Sequence, residues 1–316
     1  LLVGIFSVSC HKDVEINQIR LTECSSIPEA VASGCCFSYD DKVYIFGGRT
    51  NNGVRTSQLW KYTPATDEWT SLGDAPIKAR VSCSACVVGE RVYIGLGYNG
   101  PIHNDVSYLR DFWAYDPSTN EWTRLADFPA NTTVKNCLFA SDGAIYAVYG
   151  FFRKFTQNVY RYDIEQDQWE QVDVQTSNHV PRAMDIVGAT CQERYFLGTG
   201  FNHTSLRFWA EWDPNMQQYI PRQKILGAGR NAAACCATDK YVYLIGGRYF
   251  GDTLTTGFFY KSVQRYSPSN DEWEYVGSLP YEAENMVAIS VDGKIFMGLG
   301  ETSDGKIQSN WYKFEA

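Results

Sequence analysis

The sequence predicts an all-β protein built from six repeated units, and three recurring features carry that prediction. Apolar runs end in glycine at Gly48, Gly97, Gly150, Gly200, Gly247 and Gly300, at intervals of 47 to 53 residues. After four of these glycines a tyrosine opens an acidic or polar turn closed by tryptophan, as in Tyr62–Trp69, Tyr115–Trp122, Tyr162–Trp169 and Tyr266–Trp273. Before the glycine-ended runs lie small-residue stretches and tight turns such as Gly89-Glu90 or Asp292-Gly293, and Asp-Gly is a strong hairpin signal. Self-similarity at about fifty residues, built from short strands, is the signature of a repeat architecture.

Composition agrees and excludes some functions. At 316 residues, with 44% hydrophobic and 15% aromatic content, the chain can bury a sizeable core in β structure. With 26 Gly and 11 Pro, tight turns fit better than a flexible linker. A net charge of −8 argues against a general nucleic-acid or anionic-membrane binder, because both need a basic surface.

Each unit divides into four strands. Strand a is a small-residue run such as Val81–Val88, strand b runs into the glycines, strand c ends near the tyrosine and strand d begins at the tryptophan. This order of glycines, tyrosine and tryptophan resembles the kelch repeat over essentially residues 28–316. The resemblance implies a four-stranded blade per unit and a six-bladed kelch-type β-propeller. The fourth unit departs from the pattern, since Trp212 stands where tyrosine is expected and Tyr219 where tryptophan is. The sixth unit stops at Trp311–Phe314, after its third strand. The segment Ile16–Pro28 precedes the first blade as Trp69–Pro76 precedes the second, and both end in proline before a strand a. The N-terminal segment is therefore expected to complete the C-terminal blade and close the ring, which removes an exposed edge.

The first ten residues, Leu1–Cys10, form an apolar run ending in small residues and a cysteine. They resemble the end of a bacterial lipoprotein signal, which implies lipidation at Cys10 and residence in the bacterial cell envelope. The run is too short to span a bilayer, so a membrane is expected only through a lipid anchor. Residues 1–15 then read as signal remnant and tether, and residues 16–316 as the propeller. Of the ten cysteines, Cys35, Cys36, Cys83, Cys86, Cys137, Cys191, Cys235 and Cys236 lie shortly before a glycine-ended strand, among Ala, Ser and Gly. There they read as small buried hydrophobes. Cys83-x-x-Cys86 lacks a second pair or a partnering histidine, so neither a zinc site nor any other metal or cofactor is expected. The repeated Tyr and Trp read as packing between blades.

In antiparallel four-stranded blades the b–c and d–a loops share one face, and these are the longer and more varied loops, where function usually sits. Just after the strand-b glycines come Arg49, Asn99, Arg153, Asn202 with His203, Arg248 with Tyr249, and Glu301. Entering strand a come Arg80, Lys135, Arg182 with Asp185, Arg230 with Asn231, and Glu284 with Asn285. The expectation is a cationic mouth near the ring axis binding an anionic or polyhydroxylated small molecule or glycan, since arginine presents a planar fork suited to carboxylate.

Catalytic signals are sparse. The histidines are His11, His103, His179 and His203, and no GxSxG, HExxH or P-loop pattern occurs. Asp185, Glu284 and Glu301 could supply a carboxylate pair. In blade count, export and cationic loop face the chain is similar to bacterial sialic acid mutarotases, which interconvert anomers of N-acetylneuraminate. That resemblance implies a glutamate just after strand b and an arginine some six residues later as the acid–base pair. The matching stretch, Gly200–Arg207, offers Arg207 but no glutamate, so His203 or Glu301 would take that part. Two readings follow. One is an envelope lipoprotein that binds an anionic glycan or a partner protein, and the other is an N-acetylneuraminate epimerase.

Overall fold

The computed structural model describes residues 19–101, 104–129, 137–174, 180–251 and 257–316. The proposed tether, Cys10, His11, His103, Lys135 and His179 lie outside them.

Six four-stranded antiparallel sheets form the blades, each ordered a-b-c-d. Blade 1 comprises Cys35–Tyr39, Lys42–Phe46, Gln58–Thr63 and Glu68–Asp74. Blade 2 comprises Ser84–Val88, Arg91–Gly95, Phe112–Asp116 and Glu121–Leu125. Blade 3 comprises Cys137–Ser141, Ala144–Phe152, Lys154–Asp163 and Gln168–Val172. Blade 4 comprises Val187–Cys191, Arg194–Gly198, Trp209–Asp213 and Gln218–Pro221. Blade 5 comprises Ala234–Ala237, Val242–Ile245, Ser262–Ser267 and Glu272–Ser278. Blade 6 supplies Val287–Val291, Lys294–Gly298 and Trp311–Glu315, and its fourth strand is the N-terminal Thr22–Cys24. The closing strand pairs Thr22 with Lys313 and Cys24 with Trp311. Both chain ends therefore share one sheet, as the truncated sixth repeat predicts.

The final glycine of each strand b is a conformational requirement. Gly48, Gly97, Gly150, Gly200, Gly247 and Gly300 have φ between 83° and 113°, a region that L side chains rarely adopt. A Cβ on Gly97 would sit 2.5 Å from the Val81 carbonyl oxygen. The residue before it is also left-handed but tolerates Leu96, Tyr149, Thr199 and Leu299, so only the second glycine repeats without exception.

The Tyr, acidic and Trp positions act together across the seams between blades. In blade 5, the Trp273 indole donates to the Gln223 carbonyl at 2.9 Å, and the Gln223 N–H donates to Asp271 at 2.9 Å. The Tyr266 hydroxyl donates to the same carboxylate at 2.7 Å. Blade 3 repeats this on Ala126 through Trp169, Asp167 and Tyr162. Blade 1 repeats it on Ser25, beside the closing strand, through Trp69, Asp67 and Tyr62. Each acid has positive φ, which Asp and Asn tolerate better than most residues. The rings also pack the seams, with Tyr62 against Trp311 and Phe112 against Trp169.

Blade 4 keeps the aromatic volume, with the Trp212 and Tyr219 rings 4.9 Å apart, and loses the clasp. Gln217 stands in the acid position. Trp212 Nε1, Tyr219 Oη and the neighbouring Tyr149 Oη are buried without hydrogen-bond partners among the described residues. Strand-a cysteines sit in the inner walls as small apolar groups, with Cys35, Cys83, Cys191 and Cys236 buried.

Candidate functional site

The loop face is held by extra two-residue and three-residue antiparallel strand pairs beyond the blades. Val31–Ala32 pairs with Arg49–Thr50, Phe201–Asn202 with Thr204–Ser205, and Arg248–Phe250 with Gly257–Phe259. At its centre a cavity of about 140 Å³ is lined by Ser33, Ser82, Cys83, Asp185, Ala232 and Asn285, contributed by five blades. Ser33, Ser82, Asp185, Ala232 and Asn285 occupy one repeat position and all have φ between 51° and 61°. That shape lets backbones clasp around the axis: Asn285 N–H donates to Ala232 O, Ser33 N–H to Asn285 O, and Ser82 N–H to Ser33 O, at 2.8 to 3.0 Å.

The expected ring of free cations does not form from the described residues, because most of its arginines have internal partners. Arg80 is fully buried and bonds Asp111 at 2.9 and 2.6 Å and the Leu96 carbonyl at 3.1 Å. Arg230, at the same repeat position, is fully buried, bonds the Gly246 carbonyl at 2.8 Å and the Ser262 hydroxyl at 3.0 Å, and stacks on Tyr260. Both are parts of the wall, which corrects their assignment to a ligand. Arg49 pairs with Glu301, and Arg248 lies 3.5 Å from Glu284. Arg153 pairs with Asp105 at the rim, 2.5 Å away. Arg182 is exposed and lines an outer groove with Gln157, Asn158 and Gln171. Lys135 lies outside the described residues.

The suspected catalytic residues also separate. His203 is exposed at the tip of the blade 4 hairpin, 5.4 Å from the Phe155 ring. Arg207 donates to the Ile225 carbonyl at 2.9 Å, a bond that Arg110 repeats on Phe128 in blade 2, so Arg207 fills a repeated scaffold position. Glu301 is on blade 6, two blades from His203. There it exchanges both backbone hydrogen bonds with Glu284, at 2.9 and 3.0 Å.

The loop face thus has two sectors. Across blades 5, 6 and 1 runs a charge sequence of Arg248, Glu284, Glu301 and Arg49. Across blades 3, 4 and 5 runs a row of rings: Phe151 to Phe155 at 5.3 Å, Phe155 to Phe201 at 6.0 Å, and Phe201 to Phe250 at 5.7 Å. Arg248 joins the sectors, with its guanidinium 3.8 Å from the Phe250 ring centroid and 4.9 Å from that of Phe259. Tyr249 and Phe258 form a second aromatic pair beside it, 5.2 Å apart, and Phe258 is 46% exposed. The sequence reading missed this row. Its signal was phenylalanine beside or shortly after the strand-b glycines, at Phe151, Phe155, Phe201 and Phe250.

The charged sector is balanced rather than cationic, with two guanidinium groups beside two carboxylates. A ligand carboxylate about 4 Å from Glu284 or Glu301 and from its arginine meets repulsion and attraction of about 4 kcal/mol each at an effective dielectric near 20. It would also compete with those glutamates for Arg49 and Arg248. Among the described residues no three His, Cys, Asp or Glu side chains converge as metal ligands.

Residues 7–200 match the family described as "KLHDC2/KLHL20/DRC7 Kelch-repeats domain", and residues 229–280 match "Kelch motif". The chain is 24% identical over 279 residues to kelch-like protein 26 of Danio rerio, covering 83% of this chain and 42% of that protein. It is 22% identical over 263 residues to kelch-like protein 23 of Homo sapiens, covering 83% and 36%. It thus spans less than half the length of these relatives. The solved "Structure of YjhT" superposes with a TM-score of 0.75 at 16% identity, over 93% of this chain and 97% of that one, which is a likeness of fold. With most of the sequence inside kelch-repeat matches and all six blades in place, the chain belongs to the kelch-repeat family.

Proposed function

We propose that this propeller is a binding module that takes a protein partner on its loop face. Kelch propellers generally bind proteins. The observation that carries the reading here is the phenylalanine row joined through Arg248 to paired Arg and Glu side chains. Aromatic and arginine side chains dominate binding energy at protein interfaces, while flanking charges fix orientation. The partner segment presents an apolar side chain to Phe155 and Phe250 and hydrogen-bonding or basic groups to Glu284 and Glu301. Anchorage through Cys10 to a bacterial cell envelope completes the proposal, resting on the Leu1–Cys10 sequence. Metabolic labelling with an alkyne fatty acid tests it, since Cys10→Ser abolishes the label if Cys10 is the acceptor.

Panning a phage-displayed peptide library against the purified propeller tests the binding reading. Enriched peptides lose about thirtyfold in affinity, about 2 kcal/mol, when Phe250 is changed to Ala. Peptides that bind Phe250→Ala and Phe155→Ala as well as the wild type contradict it.

A second reading, a sugar mutarotase of the N-acetylneuraminate type, draws support from the adjacent Glu284 and Glu301 with Arg49 and Arg248 beside them. Two carboxylates at one opening could donate and accept the protons that anomer exchange requires. NMR exchange spectroscopy of N-acetylneuraminate decides it: acceleration lost in Glu301→Gln supports catalysis, and the uncatalysed rate in the presence of the protein removes it.

A further inference from the structure

The thiols of Cys35 and Cys83 come from different blades and meet at the inner wall. Cys35 opens strand a of blade 1, and Cys83 directly precedes strand a of blade 2. Their sulfurs are 3.4 Å apart and share a hydrogen bond, although 48 residues separate them in sequence. Both residues are 7% exposed, and Cys83 lines the axial cavity. Immediately beside them, Ser82 N–H donates to Ser33 O at 2.8 Å, so the two backbones are already held together by a bond that does not involve sulfur. We propose that Cys35 and Cys83 are a redox modification site, which a small hydroperoxide entering the axial cavity converts to a disulfide joining blades 1 and 2.

The chemistry divides unequally between the two sulfurs. The hydrogen bond with Cys35 draws Cys83 below the ordinary thiol range, and the field of the buried Arg80 guanidinium adds to that effect against the opposing effect of burial. The same hydrogen bond, together with burial, pushes Cys35 up. Cys83 is therefore the attacking thiolate and Cys35 the resolving thiol, since nucleophilicity in such reactions belongs to the thiolate. Cys83 sulfur attacks one peroxide oxygen, the O–O bond breaks, and the alcohol (or water, from hydrogen peroxide) leaves with a proton. Cys83 is then a sulfenic acid. Cys35 sulfur displaces its hydroxyl, water leaves with the Cys35 proton, and the S–S bond forms. Two thiols are oxidised by two electrons and one peroxide is reduced. The remaining inner-wall cysteines lack this pairing: burial raises Cys36 to about 12, and it raises Cys137 to about 11 even though the Tyr195 hydroxyl bonds that sulfur at 2.9 Å.

Hydrogen peroxide is the probe. After brief treatment of the intact chain, non-reducing peptide mapping by mass spectrometry is expected to show one peptide linking Cys35 to Cys83. Denatured thiol titration is expected to lose two thiols, restored by dithiothreitol. In Cys35→Ser, dimedone is expected to label Cys83 and no other inner-wall cysteine. The proposal is overturned if wild-type protein shows no Cys35–Cys83 peptide while other cysteines oxidise. Faster dimedone labelling of Cys36, Cys86 or Cys137 than of Cys83 overturns it too.

Discussion

The seams between blades and the loop face obey opposite rules. At the seams of blades 1, 3 and 5 the same tyrosine, acid and tryptophan recur and spend their polar groups on the preceding chain segment. On the loop face the residue after the structural glycine changes around the ring: Arg49, Tyr98, Phe151, Phe201, Arg248 and Glu301. Repetition marks the interactions every joint needs, and variation marks surface free to specialise. Blade 4 differs from these three seams, since its swapped aromatics keep packing and leave Trp212 Nε1 and Tyr219 Oη without partners among the described residues.

That contrast predicts that seam changes cost stability and loop-face changes cost binding. The largest effect is expected at the join. Deleting residues 16–28 removes the fourth strand of blade 6 and the Ser25 partner of Asp67 and Trp69, and is expected to abolish cooperative melting. Deleting residues 1–12 is expected to leave Tm unchanged, and equal melting of both truncations would break the ring-closure account.

Next comes the buried pair behind the loops. Asp111→Ala leaves the fully buried Arg80 without its carboxylate and is expected to cost about 3 kcal/mol in urea denaturation. Burial opposes the charge on Asp111, but Arg80 and the Trp113 indole N–H outweigh it and hold the carboxyl below its usual range. The folded pKa therefore lies below the unfolded value near 4. This contribution is complete above about pH 5 and is lost as pH falls through the folded pKa. A wild-type protein whose Asp111-dependent stability instead grew on acidification would contradict the pairing.

A smaller effect separates a clasped seam from the unclasped one. Asp271→Ala leaves Tyr266 and the Gln223 N–H without their acceptor and is expected to cost about 2 kcal/mol. Gln217→Ala, at the matching position of blade 4, is expected to change stability by about 0.5 kcal/mol or less. Installing the clasp with Trp212→Tyr, Gln217→Asp and Tyr219→Trp is expected to raise Tm. Equal losses at Asp271 and Gln217 would erase the distinction between the seams.

Much of the scaffold was legible because its causes are local or periodic. Left-handed backbone forced Gly48 and its five counterparts to recur, and the half-blade at Trp311–Phe314 pointed to its missing strand. The aromatic swap in blade 4 was legible as volume, but not as the two polar atoms, Trp212 Nε1 and Tyr219 Oη, that it leaves without partners among the described residues. The site was less legible because charge pairing is not local. Arg80 meets Asp111 across 31 residues, and Arg49 meets Glu301 across 252. A linear sequence displays such arginines as a free ring. The phenylalanine row came together only because adjacent loops stack around the axis, where Phe201 meets Phe250.

The most direct test measures melting and peptide affinity together in two variants, Asp271→Ala at a seam and Phe155→Ala/Phe250→Ala on the loop face. The account predicts that Asp271→Ala lowers Tm and leaves affinity for a panned peptide unchanged. It predicts that the double phenylalanine variant loses at least about thirtyfold in affinity, with stability reduced by about 1 kcal/mol or less. If the double variant binds as tightly as the wild type, the loop face is not the binding surface.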